Sequence, residues 1–276
     1  MTGEHAAAAP FVPLSDFRAK LGESPVWSAK HNAIWWVDIA GRKLLRTDLS
    51  GVSQTWPTPE IPGFVQVIGG DVLVGMQSGI FQFTPSTATF EKHVSLPAHG
   101  QRFNDACTDA QGRIWAGTMD LENKRPNGTL YLYDPAQRTL EPQFVGFRTI
   151  NGLAWDAANN RLFFSDSHPS VQTVWTSHPE SSANKTVFAR FDGLAGRPDG
   201  ATLDTGGRYW IAGVGGAVLY RFAPDGQTFA QYSVPVASPT KPAFIGRAMV
   251  LTSFIDKVDG GRLAIWDKPP QESIAL

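Results

Sequence analysis

At 276 residues the chain is long for one average domain, although all-β domains reach this size as single units. Its formal charge of −1, from 24 basic and 25 acidic residues, excludes the strongly basic surface typical of proteins that bind nucleic acid or anionic membranes. Nine Trp and 17 Phe, together with 27 Gly and 20 Pro, favour many short strands joined by tight turns.

The single cysteine, Cys107, excludes an internal disulfide framework and a thiolate metal cluster. Residues 1–10 lack the basic and apolar regions of a secretory signal, and no run approaches the ~18 apolar residues of a membrane span. We therefore expect a soluble cytoplasmic protein without nucleic acid or membrane partners. We also expect residues 1–10 to be disordered, because this Ala-rich stretch shows no strand or helix pattern.

A short apolar strand recurs six times along the chain. The six copies start at Ile34, Val72, Ile114, Leu162, Tyr209 and Ala248. These starts lie 38 to 48 residues apart, close to the length of a four-stranded propeller blade. Each copy is followed by an alternating strand that can complete a hairpin. The pattern predicts an all-β fold, a six-bladed β-propeller, as a single domain over residues 11–276.

In four repeats a polar residue opens an upstream segment that we predict to be the innermost strand. These residues are Glu23, Asn104, Asn151 and Asp199, each 10 or 11 residues before its marker strand. Asn-Gly and Asp-Gly are also common turn dipeptides, but a shared offset in four repeats disfavours that interpretation. Rotation about the propeller axis relates equivalent positions, so the four side chains should converge near the axis. Two carboxylates and two amide oxygens suit Ca²⁺, Mg²⁺ or Mn²⁺.

Over nearly its whole length the sequence resembles the SMP-30/gluconolactonase family, also called regucalcin-like. The sharper motifs are Arg102-Phe103-Asn104-Asp105, Gly117-Thr118-Met119, Asn151-Gly152-Leu153-Ala154-Trp155 and Pro198-Asp199-Gly200. The resemblance implies a six-bladed propeller with a central metal channel and one divalent cation, which could be Ca²⁺, Mn²⁺, Zn²⁺, Mg²⁺ or Fe²⁺. It implies Glu23, Asn151 and Asp199 as metal ligands, with Asn104 as a further ligand or a substrate contact.

The resemblance also implies hydrolysis of a sugar-acid lactone, such as gluconolactone, to the aldonic acid. Asp199 is the predicted general base, because it combines a carboxylate with a position at the ion. Arg102 and Asn104 are two residues apart on an extended segment, so both can face the channel and contact substrate. Glu122 resembles the family's acidic residue that binds sugar hydroxyls, and Asp120 is the alternative for that role.

The run from Thr240 through Lys241 to Gly246 departs from the family pattern, and residues 254–261 form a short segment, which leaves the choice of substrate open. One alternative function is a metal-dependent hydrolase of aryl esters or organophosphates, which would favour an apolar channel mouth. Another is a non-catalytic calcium-binding propeller, which the presence of all four channel residues disfavours. We expect a monomer, because propellers leave only short, protected strand edges.

Overall fold

The computed structural model describes residues 2–5, 8–179, 184–257 and 260–270, and its regular structure consists of strands. Two short strands, β1 (Thr2–His5) and β2 (Val12–Pro13), precede the first repeat. The other strands form six sheets, in which strands that are adjacent in sequence pair antiparallel. This arrangement confirms the predicted six-bladed β-propeller. No described helix is long and apolar enough to cross a membrane.

The first three blades each contain four consecutive strands. Blade 1 comprises β3 (Gly22–Ser28), β4 (Ala33–Asp38), β5 (Lys43–Asp48) and β6 (Ser53–Pro57). Blade 2 comprises β7 (Pro62–Ile68), β8 (Asp71–Met76), β9 (Gly79–Thr84) and β10 (Thr89–Ser95). Blade 3 comprises β11 (Gln101–Thr108), β12 (Ile114–Asp120), β13 (Gly128–Asp134) and β14 (Thr139–Phe147).

The last three blades include the two N-terminal strands. Blade 4 comprises β15 (Ile150–Asp156), β16 (Arg161–Asp166), β17 (Thr173–Ser177) and β18 (Lys185–Arg190). Blade 5 comprises β19 (Arg197–Leu203), β20 (Tyr209–Val214), β21 (Val218–Phe222) and β22 (Thr228–Ser233), with β1 parallel to β22 at its outer edge. Blade 6 comprises β23 (Pro239–Ile245), β24 (Ala248–Ser253) and β25 (Ala264–Trp266), and β2 is its fourth strand.

The six marker strands predicted from the repeat are the second strands of the six blades. They are buried along almost their entire length because both faces pack against neighbouring blades; in β4, for example, every residue is buried. Large aromatic side chains fill these spaces, and Trp35, Trp36, Trp115 and Trp210 are at most 1% exposed. The tryptophans on these strands are therefore blade core, as the strand pattern predicts.

The first strands of the blades, β3, β7, β11, β15, β19 and β23, form the innermost ring. Each contacts the first strand of the next blade, and β23 contacts β3. In every one of them the register shifts at a β-bulge, for example between Glu23 and Val26 and between Asn151 and Ala154. Bulges redirect side chains away from the regular alternation of a strand, and here six of them lie around one axis.

The N-terminal segment helps to close the ring. Because β2 pairs with β25, residues from the start of the chain complete the last blade. Of the range predicted to be disordered, residues 1, 6 and 7 lie outside the described residues, whereas Thr2–His5 are placed as β1. Pairing with the open edge of β22 supplies backbone hydrogen bonds that the Ala-rich sequence does not reveal.

A side-chain contact also joins the last blade to the first. The buried Thr240 Oγ1 lies 2.7 Å from the carbonyl oxygen of Gly22, to which it donates, and 2.9 Å from Thr252 Oγ1. Gly22 directly precedes Glu23, so this bond fixes the start of β3 against β23.

We predict that Thr240→Val destabilises the protein by about 1–3 kcal/mol, because it leaves the buried Gly22 carbonyl without its donor. Urea unfolding would measure the loss, with Thr139→Val on the exposed edge of blade 3 as the matched control. The control should change the free energy of unfolding by less than about 0.5 kcal/mol. Equal effects of the two substitutions would show that the contact between blades 6 and 1 contributes nothing.

Candidate active site

A cavity of about 180 Å³ opens at one end of the channel between the blades. Its lining includes Glu23 from blade 1, Arg102 and Asn104 from blade 3, Asn151 from blade 4 and Asp199 from blade 5. The structure therefore brings together five of the six residues proposed from the sequence. Apart from Arg102, which is half-buried, all of them are buried.

The bulges of the inner strands explain why these side chains share one cavity. Asn104 lies within the shift between Phe103 and Asp105, and Asp199 lies within the shift between Pro198 and Ala201. At the bulge of β15, Gly152 has a φ of 64°, a conformation that glycine adopts without strain. A Cβ atom at Gly152 would also lie 2.5 Å from the Tyr209 hydroxyl, so a larger residue would not fit.

A chain of hydrogen bonds orients the two amides. Asn104 Nδ2 donates to the Ile150 carbonyl oxygen over 2.9 Å and to Asn151 Oδ1 over 2.8 Å. Asn151 Nδ2 in turn donates to Ser167 Oγ over 2.9 Å. Because both amide nitrogens are engaged as donors, the amide oxygens are the groups left for a ligand: Asn104 Oδ1 has no partner among the described residues, and Asn151 Oδ1 accepts one bond and keeps a second lone pair. This orientation is the one that an oxygen-liganded cation requires.

Neither Glu23 nor Asp199 forms a salt bridge with a described basic side chain. Burial, reinforced by the charges of Asp199 and Asp105, raises the pKa of Glu23 well above its ordinary value. Burial and the charge of Asp105 raise the pKa of Asp199 to about 8. Two buried carboxylates in one cavity are thus unfavourable as bare anions, and a bound cation would relieve the cost.

The donor set fits a divalent cation that prefers oxygen ligands. Glu23 and Asp199 supply carboxylate oxygens, and Asn151 and Asn104 supply amide oxygens. Among the described residues no group of three or more His, Cys, Asp or Glu side chains could hold a metal ion. An ion in this cavity would therefore depend on amide oxygens or water in addition to the two carboxylates.

Arg102 lies beside the carboxylates with most of its donors unused. Its Nη1 donates to the Phe103 carbonyl oxygen over 2.8 Å, which is its one hydrogen bond to the described residues. Burial lowers the pKa of Arg102 to about 10, against the opposing charges of Glu23 and Asp199. The guanidinium remains charged at neutral pH and can donate to a ligand.

Neither acidic residue proposed for sugar binding lines the cavity. The side chain of Glu122 is 68% exposed, and its carboxylate pairs with Lys124 Nζ at 3.1 Å. Asp120 is buried, and its carboxylate accepts hydrogen bonds from the Lys124 and Arg125 backbone amides and from the Arg125 side chain. Asp120 therefore organises the β12–β13 loop, and the proposed role of Glu122 in binding sugar hydroxyls stays a prediction.

Sequence reasoning missed a buried ion pair beneath the cavity. Lys241 Nζ from blade 6 contacts Asp105 Oδ1 from blade 3 and donates to the Ala106 carbonyl oxygen over 3.0 Å. Burial opposes the charge of Lys241, but the adjacent Asp105 carboxylate outweighs this effect and raises the pKa of the amine. The Lys241 stem crosses directly over Gly200, where a Cβ atom would lie 2.4 Å from Lys241 Cβ.

Asp105 also supports the bulge that presents Asn151. Its Oδ2 accepts a hydrogen bond from the Leu153 backbone amide over 2.9 Å, and this amide is displaced from the ladder by the bulge. The available sequence signal was a polar residue in the sixth inner strand: Lys241 lies within the bulge of β23, as Asp199 lies within the bulge of β19. Lys241 is only seven residues before its marker strand at Ala248, so a search at 10 or 11 residues did not find it.

A second and larger cavity, of about 460 Å³, opens at the opposite end of the channel. Trp27, Trp155 and Phe244 contribute to its walls, and Lys241 lies between this cavity and the carboxylates. Cys107 also lines it, and burial raises the pKa of the Cys107 thiol. None of the site residues proposed from the sequence lines this cavity, and its described lining contains no carboxylate, so the smaller cavity is the candidate active site.

We predict that Lys241→Met lowers the free energy of unfolding by about 3–5 kcal/mol, because it leaves the buried Asp105 carboxylate without its partner. Adding Asp105→Asn should recover part of this loss, since the amide oxygen can still accept from Leu153. Urea unfolding of both single variants and the double variant completes the thermodynamic cycle. Additive effects of the two substitutions would show that the ion pair is not energetically coupled.

Fold and cavity together define a six-bladed propeller with a polar, carboxylate-bearing site at one end of its channel. Residues 21–254 match the family described as the SMP-30/Gluconolactonase/LRE-like region. The chain belongs to this family, which confirms the resemblance found in its motifs.

Curated relatives agree with this assignment, and a solved structure shares the fold. The chain is 33% identical over 257 residues to a 6-deoxy-6-sulfogluconolactonase of Pseudomonas putida, covering 89% of this chain and 87% of that protein. It is 32% identical over 241 residues to an L-arabinolactonase of Azospirillum brasilense, covering 84% and 80%. The crystal structure of a calcium-binding protein, regucalcin, from Agrobacterium tumefaciens superimposes with a TM-score of 0.87 at 23% identity, covering 99% of this chain and 97% of that one.

Proposed function

We propose that the protein is a lactonase that hydrolyses a sugar-acid lactone to the aldonic acid with the help of one divalent cation. The observation that carries the proposal is the convergence of Glu23, Asn104, Asn151 and Asp199 from four blades on one buried cavity. Membership of a family with lactonase relatives supports the same reaction.

Glu23, Asn151 and Asp199 are the proposed holders of the cation, and Asn104 is either a further ligand or a substrate contact. When bound, a divalent ion supplies Lewis-acid polarisation of the lactone carbonyl and stabilises negative charge on its oxygen. The structure suits Asn104 to both roles, because its nitrogen supports Asn151 while its oxygen has no partner among the described residues.

Asp199 is the proposed general base, which takes a proton from the attacking water as that water adds to the lactone carbonyl carbon. Arg102 is the proposed donor to substrate oxygens, because its remaining N–H groups face the cavity without partners among the described residues. The ring C–O bond then breaks, the ring oxygen takes up the proton held by Asp199 and leaves as a hydroxyl, and the new carboxylic acid loses its proton to solvent.

A second candidate is hydrolysis of an aryl ester or organophosphate at the same site. Apolar side chains form part of the cavity wall, and Phe254 at its mouth is 40% exposed. An apolar substrate would use this wall, whereas Arg102, Asn104 and Asn151 favour a substrate with several hydroxyls. The sugar lactone therefore remains the first choice.

We predict that Asp199→Asn lowers kcat by about 10²–10⁴-fold without unfolding the protein, because it removes the base and one anionic ligand. Proton release from gluconolactone and related lactones would be followed with chelated enzyme and after addition of Ca²⁺, Mn²⁺, Zn²⁺, Mg²⁺ or Fe²⁺. Calorimetry would measure metal binding independently of turnover.

Asp225→Asn, on the exposed β21–β22 turn, serves as the matched control and should leave both measurements unchanged. Asp199→Asn with more than a tenth of wild-type kcat would exclude Asp199 as the base. Hydrolysis of aryl esters in the absence of lactone turnover would instead favour the second candidate. Metal binding without turnover of either substrate class would favour a non-catalytic calcium-binding propeller.

A further inference from the structure

Two arginines are the basic side chains among the residues that line the small cavity. Arg102 is half-buried beside the carboxylates, whereas Arg197 is exposed at the start of β19, two residues before Asp199. Arg197 has no hydrogen bond or salt bridge to any described residue. It lies near enough to Asp199 for its charge to lower the pKa of that carboxyl, against the dominant effect of burial.

With one divalent cation bound, the side chains that line this cavity would leave a net positive charge, which a neutral ligand would not compensate. Glu23 and Asp199 contribute two negative charges, which one divalent cation would neutralise. Lys241 adds nothing to this sum, because Asp105 already pairs with it. Arg102 and Arg197 then leave two positive charges facing the substrate, within a cavity whose partly apolar wall strengthens electrostatic interactions.

The two arginines differ in exposure, so they can contact different parts of a substrate. Arg102 is half-buried beside Glu23 and Asp199, where its unused N–H groups can reach substrate oxygens near the proposed base. Arg197 is exposed at the start of β19, where it can reach a part of the substrate that projects towards solvent. A guanidinium in that place suits a carboxylate, sulfonate or phosphate, each of which can accept two of its hydrogen bonds.

We propose that the substrate is a lactone with a terminal anionic group distant from the scissile ester, and that Arg197 selects it. This inference rests on the proposed function, since it names the substrate class of the same site. Arg197 acts in binding and specificity, and it takes no proton in the hydrolytic step.

The test compares kcat/KM for gluconolactone with that for lactones carrying a 6-phosphate, a 6-sulfonate or a terminal carboxylate. The wild-type enzyme should prefer at least one anionic lactone by about tenfold or more. Arg197→Gln should lower kcat/KM for that lactone by about 10- to 100-fold, the loss expected for a hydrogen bond to a charged group. The ratio of kcat/KM for that lactone to kcat/KM for gluconolactone should fall by about tenfold or more, because any effect of the lost charge on Asp199 is common to both substrates.

Arg247→Gln is the matched control, since it removes the same charge from the exposed β23–β24 turn. Binding of glucitol and glucitol 6-phosphate, which cannot be hydrolysed, gives a readout independent of turnover. Calorimetry should show tighter binding of the phosphate to the wild-type protein and to Arg247→Gln, but not to Arg197→Gln. This preference should also weaken as salt concentration rises.

The outcomes separate the two proposals. If no lactone is hydrolysed, the proposed function fails, and the binding comparison still decides the role of Arg197. Equal kcat/KM for neutral and anionic lactones, with equal binding of the two polyols, would overturn the inference. An equal loss of both activities in Arg197→Gln would overturn it as well, because Arg197 would then not discriminate between substrates.

Discussion

The buried ion pair between Asp105 and Lys241 connects opposite sides of the propeller. It joins blade 3 to blade 6 across the channel, and Asp105 also holds the Leu153 amide of blade 4. Two charges buried without their partner would each cost several kcal/mol, so this pair strongly favours one arrangement of three inner strands. The pair also separates the two cavities, and on one side of it Glu23 and Asp199 form no salt bridge with the described residues.

The bulges of the inner strands direct the polar side chains of the candidate site towards the propeller axis. Each bulge removes residues from the regular ladder, and the displaced polar groups need other partners. At blade 4, Asp105 accepts from Leu153, and the Tyr209 hydroxyl donates to the Gly152 carbonyl oxygen over 2.6 Å. These bonds replace the lost ladder contacts and hold Asn151 towards the axis. The geometry of the candidate site therefore depends on interactions between blades more than on any single blade.

Electrostatics give the two ends of the channel different chemistry. One end has two buried carboxylates with raised pKa values and two arginines. The other end has aromatic walls and a lysine, Lys241, whose charge is paired with Asp105. A cation and an anionic ligand would complement each other at the first end. The proposed lactonase activity and the proposed preference for an anionic lactone follow from this single distribution of charge.

The sequence by itself predicted the six blades and the four inner-strand residues that line the candidate site. Strand alternation and a blade-length repeat are visible in the sequence, and equivalent positions of the repeat lie close together because they are related by rotation about the propeller axis. Sequence reasoning also proposed that Arg102 faces the channel, and Arg102 lines the cavity. The pairing of Lys241 with Asp105, the position of Arg197 and the solvent-exposed position of Glu122 were decided only by tertiary structure. Bulges and turns of unequal length shift which residues face the axis, and contacts between residues 136 positions apart leave no local pattern.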